Sequence, residues 1–218
     1  MYVIAIDGPA GAGKSSVSKQ LAQRLGWIRL DTGALYRAIA LAASEHGLPA
    51  HDTSELVQFL STLEIDQREG SIYLNGQLEE DRLRTPLISR LASDFATLPS
   101  VRHRLLELQR SIGLARPCIV DGRDIGTVVF PDAPLKIYLT ASSLARAQRR
   151  LLDLQQAGEI ADVKEVQREI ELRDQQDQNR DIAPLKQADD AHVVDATHLT
   201  LNQVVDACFK LAQKCELT

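Results

Sequence analysis

The segment that most constrains the fold is Gly8-Pro-Ala-Gly-Ala-Gly13-Lys14-Ser15, which satisfies G-x-x-x-x-G-K-[ST] and follows the apolar run Val-Ile-Ala-Ile at residues 3–6. Behind it, Val17, Leu21, Ala22 and Leu25 recur at helical spacing, and Gly26 stands where a left-handed residue would end the helix. A strand, a glycine-rich turn and a helix are therefore predicted in that order. Such a turn can wrap a phosphate with successive backbone N–H groups only if no side chain intrudes, and the helix N-terminus adds a favourable dipole. Gly8, Pro9, Ala10, Gly11, Ala12, Gly13, Lys14, Ser15 and Ser16 are accordingly the predicted ATP-binding set. Lys14 would reach the β- and γ-phosphates, and the Ser15 hydroxyl is the expected Mg²⁺ ligand, with Ser16 next in line. Switch proteins and motors use the same cradle, so the loop alone does not define an enzyme.

Further apolar runs at 27–30, 118–120, 135–139 and 193–194 are separated by long helical patterns, which implies a parallel sheet covered on both faces. Helices are predicted near 34–46, 53–62, 86–97, 100–114, 142–157, 162–179 and 200–215. Capping boxes at Asp52/Glu55 and Thr200/Gln203 and a Thr85-Pro86 start mark three of them. One stretch breaks the alternation: short runs joined by Glu69-Gly70 and Asn75-Gly76 between about 63 and 80 read as a small antiparallel ribbon inserted into the α/β core.

The chain of 218 residues is 44% apolar, enough for a substantial core, and Cys118, Cys208 and Cys215 form neither a disulfide framework nor a zinc site. A formal charge of −5 argues against a non-specific nucleic-acid binder, and the opening residues carry no basic leader or membrane-length apolar run. A cytoplasmic protein without a membrane or nucleic-acid partner is expected. His46, His51, His103, His192 and His198 suggest no triad or metal set.

Asp31-Thr32-Gly33-Ala34-Leu35-Tyr36-Arg37 closes the second run, and Asp121-Gly122-Arg123-Asp124 closes the third. Both place charged groups at carboxyl ends of strands, where open α/β sheets bind ligands. Arginine there suits a phosphate. With GPAGAGKS, DTGALYR, LASDFATLPSVR, DGRDIGTVVFPDA and RDQQDQNR followed by APL in this order along nearly the whole chain, the sequence resembles the bacterial cytidylate kinases.

That resemblance implies an α/β, P-loop kinase-type fold: a parallel five-stranded sheet flanked by helices, a small antiparallel insert in the acceptor-binding region, and a helical lid. It implies a single domain over 1–218, with its core at 1–31, 115–145 and 185–218, an acceptor-binding region at about 32–114 and a lid at about 152–168 containing Gly158. It implies ATP-dependent, Mg²⁺-assisted phosphorylation of CMP and dCMP by a monomer. Carried across residue by residue, Thr32, Tyr36, Arg37, Ser93, Arg102, Arg123, Asp124, Asp177 and Arg180 would bind CMP, with Ser93, Arg102 and Asp124 reading the base. Lys14, Arg123, Arg173 and Arg180 would form the catalytic cluster, and Asp121 would assist Ser15 at Mg²⁺, directly or through water. Gln175, Gln176 and Gln178 stand where related enzymes often have arginine, which would weaken the lid's positive field. Asp31 and Asp121 also suit plain capping carboxylates. Arg149 reads equally as site or surface, and Arg146 and Arg168 read as solvated helix charges.

Overall fold

The computed structural model describes residues 1–68, 70–79, 82–156, 158 and 160–217. Strand β1 (Val3–Asp7) leads through the glycine-rich loop into α1 (Lys14–Leu25), then β2 (Ile28–Asp31) and α2 (Thr32–Glu45). Helix α3 (Ser54–Thr62) precedes three short strands, β3 (Ile65–Arg68), β4 (Ser71–Leu74) and β5 (Gln77–Leu78). Helices α4 (Pro86–Phe95) and α5 (Pro99–Ala115) return the chain to β6 (Cys118–Gly122), and β7 (Leu135–Thr140) follows a π-helical turn at Ile125–Val129. Helices α6 (Ser143–Gln156) and α7 (Val163–Asn179) come next, before β8 (His192–Asp195) and α8 (Leu201–Lys214).

The main sheet has five strands in the order β2-β6-β1-β7-β8, all parallel. β1 and β6 lie inside it, and every residue of both is buried, as an apolar run with helices on both faces requires. Strand alternation divides the core. Val3, Ala5, Cys118 and Val120 pack with α2, α4 and α5, whereas Ile4, Ile6 and Ile119 pack with α1 and α8. Register aligns the strand ends: Ile6 lies beside Asp121, and Asp121 beside Asp31. Three strands thus deliver polar residues to one edge of the sheet.

Local signals explain most boundaries. Gly26 takes φ 68° and closes α1, and its N–H bonds back to Ala22. Thr85 accepts the Ile88 N–H with Pro86 in the first turn, and Thr200 and Gln203 form a reciprocal capping box. Two assignments differ from expectation. Helix α2 starts at Thr32 because the Asp31 carboxylate accepts the Ala34 N–H at 3.0 Å. Helix α3 is capped by Thr53, not Asp52, since Thr53 Oγ1 accepts from Leu56 N while Asp52 is drawn across to the Ser100 N–H at the start of α5.

The inserted ribbon is antiparallel in the order β3-β4-β5, with Ile65 beside Leu74 and Tyr73 beside Leu78. Its Asn75-Gly76 corner takes positive φ at both residues (47° and 81°), the requirement of a two-residue hairpin turn. Glu69 of the other expected corner lies outside the described residues, as do residues 157 and 159 of the expected lid segment. Ile72 and Leu74 press the ribbon onto the α2 side of the core. Among the described residues, no helix is long and apolar enough to cross a membrane.

Candidate active site

The glycine-rich loop is shaped by close approach. Gly8 adopts φ +149°, and a Cβ there would stand 1.9 Å from the Leu139 carbonyl oxygen on β7, so no other residue fits. Gly11 and Gly13 also take positive φ, 72° and 94°. Lys14 is 7% exposed, and its Nζ donates to the carbonyls of Gly8 (2.7 Å) and Pro9 (2.8 Å). Burial, then the nearby Arg123 charge, pushes the Lys14 pKa well below its ordinary value.

Beneath the loop lies a carboxylate network. Ser15 Oγ donates to Asp121 (3.2 Å), Ser18 Oγ donates to Asp121 (2.6 Å), and Arg29 Nε donates to the same carboxylate (2.9 Å) while its Nη2 reaches Asp31 (2.9 Å). Burial and the Asp31 charge raise the Asp121 pKa, with Arg29 and Ser18 working against them. A hydroxyl and a carboxylate are hard oxygen donors of the kind Mg²⁺ accepts alongside water and phosphate oxygens, so Ser15 and Asp121 fit that ion. Asp31 caps α2, as a capping carboxylate would, and in addition pairs with Arg29 and, at 3.5 Å, Arg37.

Across the cleft, Thr32 Oγ1 donates to the Asp121 carbonyl (2.8 Å), which ties α2 to the end of β6. Arg123 Nε donates to Asp177 at 2.6 Å. Burial works against the Asp177 charge, but Arg123, Arg173 and Arg180 together outweigh it and hold the carboxyl below its usual range. Asp124 is grasped from two sides, by Arg102 and by Arg180 Nη2 at 3.1 Å. Ser93 Oγ donates to its own helix, to the Ser89 carbonyl at 3.3 Å. Arg37 Nε and Arg173 Nε are buried donors with no hydrogen-bond partner. Burial, then repulsion from Arg123, lowers the Arg173 pKa to about 10. These guanidiniums are arranged for an anion that would satisfy them.

Loop and arginines open into one cavity of about 510 Å³. Ala10 to Ser16 form one wall, and Thr32, Tyr36, Arg37 and Ser93 form another. Asp121, Arg123 and Asp124 supply the floor, with Arg173, Asp177 and Arg180 contributed by α7 and the residue after it. Of the sequence-predicted residues, Gly8 and Pro9 stand behind the wall with their carbonyls on Lys14, and Arg102 stands behind Asp124.

Arg146 corrects a sequence expectation. It is not a solvated charge: it is 6% exposed, its Nη1 pairs with Asp174 at 2.6 Å and donates to the Ala10 carbonyl at 2.7 Å. The sequence signal available was its place one turn into the helix that follows β7, the strand against which Gly8 packs. Arg149 and Arg150 also line the cavity, and Arg149 bonds the Ala196 carbonyl; Arg168 is exposed, as expected. Sequence reasoning missed Asp174 and Asp7. The Asp7 carboxylate receives the N–H groups of Ile125 (2.8 Å) and Gly126 (2.7 Å), anchoring the π-helical turn just after Asp124.

Comparison with known proteins gives a consistent result. The sequence profile of a family described as cytidylate kinase matches residues 4–214. The cytidylate kinase of Thermotoga neapolitana is 46% identical over 214 residues, covering 98% of this chain and 97% of the relative. That of Lactobacillus johnsonii is 44% identical over 215 residues, covering 97% and 94%. Among solved structures, an uncharacterized protein from Eubacterium ventriosum superposes with a TM-score of 0.55 at 11% identity, covering 97% of this chain and 98% of that one, a likeness of fold alone.

Proposed function

This chain belongs to the cytidylate kinase family, and from that membership we propose that it transfers the γ-phosphoryl group of ATP to CMP and dCMP, giving ADP with CDP or dCDP. The observation that carries the reading is the single cavity in which a phosphate-cradling loop faces an arginine cluster with buried, unmet Nε donors.

Phosphoryl transfer asks for alignment and for cancellation of charge spread over the equatorial oxygens; an acceptor phosphate is already ionised and needs no general base. In this reading the loop amides hold the donor phosphates. Lys14 exchanges the Gly8 and Pro9 carbonyls for phosphate oxygens, a change favoured because a buried ammonium gains more from an anion than from carbonyl dipoles. Arg37 pins the acceptor phosphate, and Arg123, Arg173 and Arg180 flank the group in transit. Ser15, with Asp121 directly or through water, would hold the Mg²⁺ that shields charge on the donor phosphates. Ser93, Arg102 and Asp124 read the base: cytosine offers an amino donor to the carboxylate, whereas uracil would set an oxygen against it. Asp177 and Arg180 meet the sugar and phosphate. Closure of the lid over both nucleotides keeps water from taking the acceptor's place. A monomeric, cytoplasmic enzyme fits this role.

A GTPase-like switch is disfavoured because the sequence contains no Asn-Lys-x-Asp base-reading motif. The test is ADP release from Mg-ATP with CMP, dCMP, UMP and AMP in parallel. CMP and dCMP should turn over far faster than UMP or AMP, and Asp124→Asn should narrow the CMP-to-UMP ratio by an order of magnitude or more. Preference for another nucleotide, or an unchanged ratio in the variant, would refute the substrate or the base-reading assignment respectively. Lys14→Ala and Arg180→Ala should each lower kcat by about a hundredfold or more while the proteins stay folded.

A further inference from the structure

Ala10 of the donor loop is held by both of its backbone polar groups, one in each of the two peptide units it joins. Its N–H donates to Asp174 Oδ1 at 3.0 Å, and its carbonyl accepts from Arg146 Nη1 at 2.7 Å. The two side chains are themselves paired at 2.6 Å, and Arg146 Nε is fastened to the Ala141 carbonyl at 2.9 Å. The approach is close enough that a Cβ on Gly11 would stand 3.3 Å from Arg146 Cβ and 3.8 Å from Ile170 Cδ1. Ala147 of α6 and Val166 and Ile170 of α7 share a small apolar cluster, so the two helices pack as a unit.

From this geometry we infer that Asp174 and Arg146 are a positioning pair that registers α7, and with it Arg173, Asp177 and Arg180, on the donor loop, with Arg146 also neutralising a carboxylate that would otherwise repel the donor phosphates. The inference rests on the donor-loop reading above. Asp174 stands directly beside Arg173 and one turn before Asp177, so a shift of its contact with Ala10 moves the phosphate-facing arginines with it. Its carboxylate is buried next to a loop built for anions. Arg146 is the cation in direct contact with that charge, with Arg123 and Arg173 nearby, and removing one member of a buried pair leaves the other largely uncompensated.

The test is a charge-rescue cycle on the full chain: wild type, Arg146→Met, Asp174→Asn and the double variant, each checked by thermal melting. ATP Kd is read by calorimetry, and kcat and both KM values by ADP release. Arg146→Met should weaken ATP binding about tenfold and lower kcat, with a distinctly smaller rise in KM for CMP, because the exposed charge acts directly on the donor side and reaches the acceptor only through Asp177 and Arg180. The double variant should recover at least about fivefold of the lost ATP affinity, since the uncompensated charge is gone. A double variant no better than Arg146→Met would overturn the pair, as would an equal rise in KM for ATP and CMP. If Arg146→Met does not fold, Asp174→Asn and Asp174→Ala decide. Asn keeps an oxygen for the Ala10 N–H and should retain several-fold more kcat than Ala; equal losses overturn the inference. ATP Kd does not depend on the acceptor, so a wild-type protein inactive on CMP would refute the substrate and leave this measurement decisive.

Discussion

Asp7 occupies the last position of β1, at the entry to the glycine-rich loop, and its carboxylate holds the first amides after Asp124, so one side chain ties that loop to the turn following β6. Burial raises its pKa to about 6, against the opposing pull of those two N–H groups. A carboxyl with a folded pKa above its ordinary 3.8 takes up a proton on folding between those values, so its contribution to stability is present at low pH and is lost as pH rises through about 6. A carbon-13 carboxyl titration should find one aspartate midpoint near 6 that disappears in Asp7→Asn; a set confined to the usual carboxylate range would contradict the burial account. The thiols offer a parallel check. Burial pushes Cys118 and Cys208 up to about 12, whereas Cys215 is only half-buried. A thiol reagent at pH 8 should therefore modify one cysteine quickly and two only on unfolding. Arg123 and Asp124 stood out in the sequence because charged residues just past a strand end have few structural excuses, and Arg37 stood out through the family resemblance. Asp7, Arg146 and Asp174 did not, because the backbone groups they hold lie more than a hundred residues away, and the buried Arg146–Asp174 pair looks, in sequence, like any charged helix face.

Elements were legible where a local rule sets them. Asn75-Gly76 makes its hairpin, Thr85-Pro86 and Thr200/Gln203 start their helices, and the strand, loop and helix around Gly8 to Ser15 form as expected. Asp52 was misread as a cap because it and Thr53 both suit that position, and the nearby Ser100 N–H that claims Asp52 is invisible in the sequence. Thr53→Ala should consequently cost about 1 kcal/mol in a urea melt, and Asp52→Ala distinctly less; the reverse order would return the cap to Asp52. Gly8→Ala should abolish ATP binding, because its Cβ meets backbone oxygen at 1.9 Å. Gly13→Ala meets nothing within 4 Å and carries only the strain of positive φ, about 1–2 kcal/mol, so it should fold and bind ATP more weakly. Equal behaviour of the two variants would contradict the packing of the loop on β7.

At the scale of the whole molecule, the alternation of apolar runs and helical patterns gave the parallel sheet and its covering helices, but not the order β2-β6-β1-β7-β8. That order comes from which apolar faces meet, and it brings Asp31, Asp121 and Asp7 to one edge. The cavity exists because α7 crosses back over that edge to set Arg173, Asp177 and Arg180 opposite the loop. The central claim is therefore spatial: two nucleotides meet end to end between the donor loop and the guanidinium cluster. Its most direct measurement is a crystal structure of the protein with CMP and a non-hydrolysable ATP analogue. The account predicts the CMP phosphate within salt-bridge reach of Arg37 and Arg123, facing the terminal phosphate of the analogue, with its base against Asp124. A CMP phosphate turned away from that terminus, or seated apart from those arginines, would contradict it.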